Sequence, residues 1–174
     1  MDYKNLGGGD YKDVMTGVDY LIEKGIADPD QLFIRGHSYG GFLAALVIGR
    51  TDRFKSAIID AGVVDWISDN GTTDAPVTIE GYFGGAYWEN YALWRETSPI
   101  RYVANIKTPT LILQGASDTR VSTTQSTQFY NALKARRIPT CLIYYTEERH
   151  GIGSLVAIRD AMNVMLKWMK AYES

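Results

Sequence analysis

Two kinds of hydrophobic pattern alternate along this chain. Between about Asp10 and Lys24, Val14, Val18, Leu21 and Ile22 recur at helical spacing, with Asp10 as a candidate N-cap and Gly25 as the stop. The turn Ala27-Asp28-Pro29-Asp30 leads into Leu32-Phe33-Ile34, a short apolar run that predicts a buried strand. Apolar residues from Phe42 to Ile48 then predict a buried helix. Ala57–Ile59, Thr110–Leu113 and Cys141–Tyr145 are likewise too short and too apolar for surface helices, and predict three more strands. Helices are predicted over Thr123–Arg136, with Phe129, Leu133 and the Tyr130 flank inward, and over Leu155–Tyr172. The last of these carries Val156, Met162, Met165, Leu166 and Met169, and its methionines, at helical spacing, are read as core-filling rather than as a cofactor box. Alternation of this kind predicts an α/β fold: a mostly parallel sheet between layers of crossover helices.

The span from Val64 to Ile106 interrupts the alternation. It is rich in aromatics, among them Trp66, Tyr82, Phe83, Tyr87, Trp88, Tyr91 and Trp94. Two readings stay open for the group, a satellite core under a long loop and the lining of a pocket. Neither repeats nor an interdomain linker stand out, so residues 1–174 read as one domain.

Composition narrows the function classes. Hydrophobic residues are 45% and charged residues 22% of the chain, as in an ordinary globular protein. A net charge of -2, with no basic run longer than Lys134–Arg137, argues against nucleic acid as a partner. No apolar stretch has membrane-spanning length, and the polar start Met1-Asp2-Tyr3-Lys4-Asn5 is unlike a secretion signal. The lone Cys141 sits in an apolar run and reads as a core residue. The expectation is a cytoplasmic protein without membrane contact.

The chemistry concentrates at Gly36-His37-Ser38-Tyr39-Gly40-Gly41, between a predicted strand and a predicted helix. A Gly-x-Ser-x-Gly turn there presents a serine hydroxyl at the tip of a sharp reversal, close to a helix N-terminus whose dipole favours negative charge. A serine needs a base, and the chain has two histidines. His37 is adjacent to Ser38 and is expected to point away from it, which leaves His150 in the loop after the fourth predicted strand. Asp118, just past the third, is the candidate carboxylate that orients the imidazole. Taken singly, Asp118 can also be read as a loop or helix cap and His150 as a surface residue. Together they follow the carboxyl ends of different strands in the order Ser, Asp, His. No ligand set for a metal is recognisable, and no cofactor is implied.

Several stretches resemble the catalytic domain of the prolyl oligopeptidase family, in particular its acylaminoacyl-peptidase and dipeptidyl-peptidase branches. They are Asp10–Gly25, Gly36–Gly41, Ala61–Trp66, Ser98-Pro99-Ile100, Thr108–Leu111, Gly115–Val121 and His150-Gly151. The resemblance implies a three-layer α/β-hydrolase sandwich and a serine hydrolase acting on short peptides or small esters. It implies Ser38 as nucleophile, Asp118 as orienting carboxylate, His150 as base, and the Tyr39 backbone N–H as an oxyanion donor. Arg120 resembles the family's binder of a substrate carbonyl, although an ion pair with a carboxylate such as Glu147 is the competing reading. Val63 and Val121, with Trp66, resemble walls of the pocket for the residue before the cleaved bond. Against the family pattern the chain begins where the sheet is half built, so early strands, a β-propeller and a loop carrying a second oxyanion donor are expected to lie outside it. Two further expectations follow: Leu32–Ile34 forms a bare apolar sheet edge, covered by a second copy or another chain, and a rival function is that of a weak or inactive hydrolase serving as a binding or assembly subunit.

Overall fold

The computed structural model describes residues 5–173. Its centre is a four-stranded sheet in the order β1-β2-β3-β4, with β1 at Phe33–His37, β2 at Ser56–Asp60, β3 at Thr110–Gly115 and β4 at Thr140–Tyr145. All three strand pairs are parallel, in registers such as Ile34 with Ala57, Ile58 with Leu111 and Leu113 with Ile143. Every residue of β2 and β3 is buried, as expected of parallel strands covered on both faces.

Among the described residues there are seven α-helices: α1 Gly9–Glu23, α2 Tyr39–Ile48, α3 Trp66–Asn70, α4 Pro76–Phe83, α5 Tyr91–Thr97, α6 Thr123–Ala135 and α7 Leu155–Lys170. A 3-10 helix spans Pro99–Asn105. On one face, Ala44, Ala45 and Ile48 of α2 and Phe129 and Leu133 of α6 pack on Ala57, Ile59 and Ile112. On the other, Ala161 and Met165 of α7 pack on Ile58, Leu111 and Leu113. The result is a three-layer sandwich, with its sheet interior supplied by β2 and β3.

Three expectations need correction. Asp10 lies in the first turn of α1 rather than capping it; the cap is Gly8, and the Asp10 carboxylate accepts a hydrogen bond from the Tyr39 hydroxyl. In α7, Val156, Met162 and Leu166 are 74%, 55% and 50% exposed, so they do not fill the core. The packed stripe is Ala161, Val164, Met165, Trp168 and Met169; a helix with apolar residues on more than one face has no unique inward side in its sequence. Finally, Leu32 does not belong to the expected bare apolar edge, since it precedes β1. Leu32 is buried with Val47 and Phe54, and Val14, Val18 and Ile22 of α1 cover that cluster. Among the described residues β1 pairs on one side only, with Phe33 and Ile34 half-buried in it, so the expected open sheet edge is present.

Residues 64–106 fold as α3, α4, α5 and the 3-10 helix, and both readings of their aromatics apply to different members. Phe83 stacks on Trp94 at 4.0 Å between ring centroids, and Trp66 meets Phe42 and Phe83 edge-on. This satellite core also contains Val63, Ile79 and Val121. Trp88 and Tyr91 are exposed, while Trp66 and Tyr82 also line the cavity described next.

Candidate active site

Ser38 sits between β1 and α2 with φ 56° and ψ -120°, a backbone conformation that costs about 1–3 kcal/mol for a non-glycine residue. The surrounding glycines make the reversal possible. A Cβ on Gly36 would overlap the carbonyl of Gly40, and one on Gly41 would come within 2.7 Å of the Gly62 Cα and 2.9 Å of the Asp60 carbonyl oxygen. Gly40 is different, since a Cβ there meets nothing within 4 Å. The Ser38 N–H donates to the Asp60 carbonyl at 2.9 Å and fixes the turn on the end of β2.

The loops after β3 and β4 bring two more groups to Ser38. They run so close that a Cβ on Gly115 would overlap the carbonyl of Arg149, and the Ser117 N–H donates to the Glu148 carbonyl at 2.9 Å. The Glu148 carboxylate in turn accepts from the backbone N–H groups of Gly153 and Ser154, which holds its pKa below the usual carboxylate range. Within this brace, His150 Nε2 lies 2.8 Å from Ser38 Oγ and His150 Nδ1 lies 2.9 Å from Asp118 Oδ2. Ser38, His150 and Asp118 thus form one continuous hydrogen-bonded chain.

Asp118 is positioned from several sides. Its Oδ1 accepts from the N–H groups of Arg120 at 2.9 Å and Val121 at 3.0 Å, and its Oδ2 also accepts from Gln114 Nε2 at 2.8 Å. Gln114, fully buried at the end of β3, is itself held by the Ser126 hydroxyl, which donates to Gln114 Oε1 at 2.7 Å. Burial works to raise the Asp118 pKa; the His150 hydrogen bond and the Val121 and Arg120 N–H groups outweigh it and bring the pKa below its ordinary value. The carboxylate is therefore ionised at neutral pH.

His37 takes another partner, as its position next to Ser38 suggests. Its Nδ1 lies 3.2 Å from Asp60 Oδ2, and the Asp60 hydrogen bond raises its pKa. Its ring centroid is 5.1 Å from that of His150.

Beside Ser38 and His150 opens a cavity of about 170 Å³. Val63, Trp66, Val121 and Arg120 all line it, as does Tyr39, the first residue of α2. Arg120 pairs with Asp74 rather than Glu147: Nε is 2.5 Å from Asp74 Oδ1, and the pair lowers the Asp74 pKa. The Thr119 hydroxyl donates to Asp74 Oδ2 at 3.0 Å, so the cavity's arginine is tied to the loop before α4. Tyr82 is one of the aromatics for which pocket lining was an open reading, whereas Asp69, Ala75, Thr78 and Ile79 carried no sequence signal. Among the described residues, no group of three or more His, Cys, Asp or Glu side chains is arranged to hold a metal ion.

Comparison with known proteins agrees with this geometry. The sequence pattern of the prolyl oligopeptidase family matches residues 2–173. The chain belongs to that family. It is 36% identical over 156 residues to the uncharacterized peptidase YuxL of Bacillus subtilis, covering 86% of this chain and 23% of the relative. It is 31% identical over 176 residues to the acylamino-acid-releasing enzyme of Rattus norvegicus, covering 97% of this chain and 24% of the relative. A puromycin-hydrolyzing peptidase of Mycobacterium tuberculosis superposes with a TM-score of 0.92 at 29% identity, over 98% of this chain and 26% of that one. For the acylaminoacyl peptidase of Pyrococcus horikoshii the TM-score is also 0.92, at 23% identity, over 98% and 29% of the two chains; at that identity the likeness is one of fold. This prolyl oligopeptidase family chain thus spans about a quarter of the length of the curated relatives it matches. Among the described residues, no helix is long and apolar enough to cross a membrane.

Proposed function

We propose that this chain carries the acyl-transfer centre of a serine hydrolase that cleaves short peptides or small esters. In this reading His150 Nε2 takes the Ser38 proton, Oγ attacks the substrate carbonyl, and the Tyr39 N–H at the start of α2 donates to the oxyanion. The amine or alcohol leaves with the proton from His150. Water, deprotonated by the same imidazole, then releases the acyl group from Ser38. Asp118 stays ionised throughout, holds the Nδ1–H tautomer and stabilises the imidazolium. Val63, Val121 and Trp66 receive the residue before the cleaved bond, and Arg120 turns its remaining N–H groups toward a substrate carbonyl. No cofactor takes part. The protein acts in the cytoplasm.

The observation that supports this most is the 2.8 Å and 2.9 Å hydrogen-bonded chain from Ser38 through His150 to Asp118, opening on a lined cavity. Peptidase names among the relatives make the peptide bond the first substrate to try. A fluorophosphonate probe is expected to label the chain, and Ser38→Ala to abolish the label. An unlabelled protein would refute the hydrolase reading in favour of a binding or assembly role. Hydrolysis of p-nitrophenyl acetate compared with an aminoacyl naphthylamide then separates esterase from peptidase.

A further inference from the structure

Asp69 is out of place for a purely apolar pocket. It lies in α3, is 1% exposed, and lines the same cavity as Ser38, Val63 and Val121. Its Oδ1 is fully buried and has no hydrogen-bond partner among the described residues. A buried carboxyl is normally paired with a cation or saturated with donors, because its lone pairs have lost water. Here the neighbouring charges are of the wrong sign: Asp118 and Asp65 both act on it unfavourably. Arg120, the arginine of the cavity, spends its Nε on Asp74, and no lysine or arginine forms an ion pair with Asp69 among the described residues. The remaining titratable groups on the cavity are Tyr39, Tyr82 and His150; the Tyr39 hydroxyl donates to Asp10, and His150 is committed to Ser38 and Asp118. An unsatisfied acceptor lining a cavity, in a field made negative by two further carboxylates, suits a cation.

We infer that Asp69 sets the specificity of this pocket, selecting substrates whose residue before the cleaved bond carries a cationic side chain. The inference rests on the hydrolase reading for its catalytic consequence, but the cation site itself does not. A lysine or arginine side chain would run along the apolar walls of Val63, Ile79 and Val121 and bring its charge to the carboxyl. Burial, followed by Asp118 and Asp65, raises the pKa of Asp69 to about 7. Cation binding to the ionised form is therefore coupled to loss of a proton near neutral pH.

Two measurements test this. On the unaltered chain, kcat/KM is compared for the p-nitrophenyl esters of N-acetyl-lysine and N-acetyl-norleucine, which differ in charge at nearly equal length. The lysine ester is expected to be preferred roughly 10- to 100-fold. Asp69→Asn and Asp69→Leu should abolish that preference, and the lysine-to-norleucine ratio should rise with pH until it levels off above about 7. The ratio cancels every pH effect that the two esters share. Separately, the Ser38→Ala chain is titrated with N-acetyl-lysinamide and N-acetyl-norleucinamide by NMR, which reads the pocket whether or not hydrolysis occurs. Binding selective for lysinamide and lost in Ser38→Ala/Asp69→Asn supports the cation site even if no ester is cleaved; only the hydrolase reading then fails. Equal or better binding and turnover of the norleucine compounds would overturn the assignment.

Discussion

Replacing Asp69 with Asn keeps the shape of the side chain and removes its ionisation, so the substitution isolates what the buried carboxyl costs. An aspartate with a raised folded-state pKa binds its proton more tightly folded than unfolded. Its contribution to stability is complete below the unfolded value of 3.8 and is lost as pH rises through the folded value of about 7. The whole rise corresponds to about 4 kcal/mol at ~1.36 kcal/mol per pH unit. Between pH 5 and 8.5, linkage places about 2.5 kcal/mol of that loss, and relaxation or water entry can halve it. Urea unfolding of the wild-type and Asp69→Asn chains at pH 5, 6, 7, 8 and 8.5 measures it directly. Asn also leaves a buried polar group incompletely bonded, but that offset does not depend on pH and drops out of the difference. The advantage of Asp69→Asn over wild type should widen from pH 5 to about 7 and then stay level. A difference constant within about 0.5 kcal/mol over that range would show that Asp69 titrates as an ordinary exposed aspartate, against the burial described here.

Asp118→Asn should keep the fold and lower turnover of any ester substrate by roughly 10⁴-fold, because an amide favours the wrong imidazole tautomer; steady-state kinetics at saturating substrate read this. Gly41→Ala should destabilise the chain by about 1–3 kcal/mol in thermal unfolding, because the new Cβ meets backbone of Gly62 and Asp60 that cannot move aside. His37, whose pKa is raised first by its Asp60 hydrogen bond, stabilises the fold below 6.5 and ceases to do so as pH climbs past its folded value. The deficit of His37→Gln in melting temperature should accordingly be larger at pH 5.5 than at pH 8.5. The unpaired side of β1 should drive association with a second copy or another strand, giving concentration-dependent sedimentation at micromolar protein; a monomer throughout would argue against it.

The strand cores were legible because parallel strands buried on both faces leave short, wholly apolar runs. Ala57–Ile59 and Thr110–Leu113 each fall inside their strand, and only the ends grew, to Ser56–Asp60 and Thr110–Gly115. The meeting of Ser38, Asp118 and His150 was legible too, since each follows the carboxyl end of a strand and a parallel sheet gathers those ends together. What escaped sequence reading depends on packing between distant segments. Which side of α7 turns inward is decided by Ile58, Leu111 and Leu113, not by the helix. The partner of Arg120 is Asp74, which local sequence does not distinguish from Glu147, and the importance of Gln114 and Asp69 appears only once their surroundings are known.

The hydroxyl of Ser38 and the imidazole that bonds it are separated by 112 positions. During synthesis the ribosome delivers the serine before its base. A nascent or prematurely terminated product that stops before His150 carries Ser38 without its imidazole. Whatever chemistry the pair performs starts only after translation has passed His150.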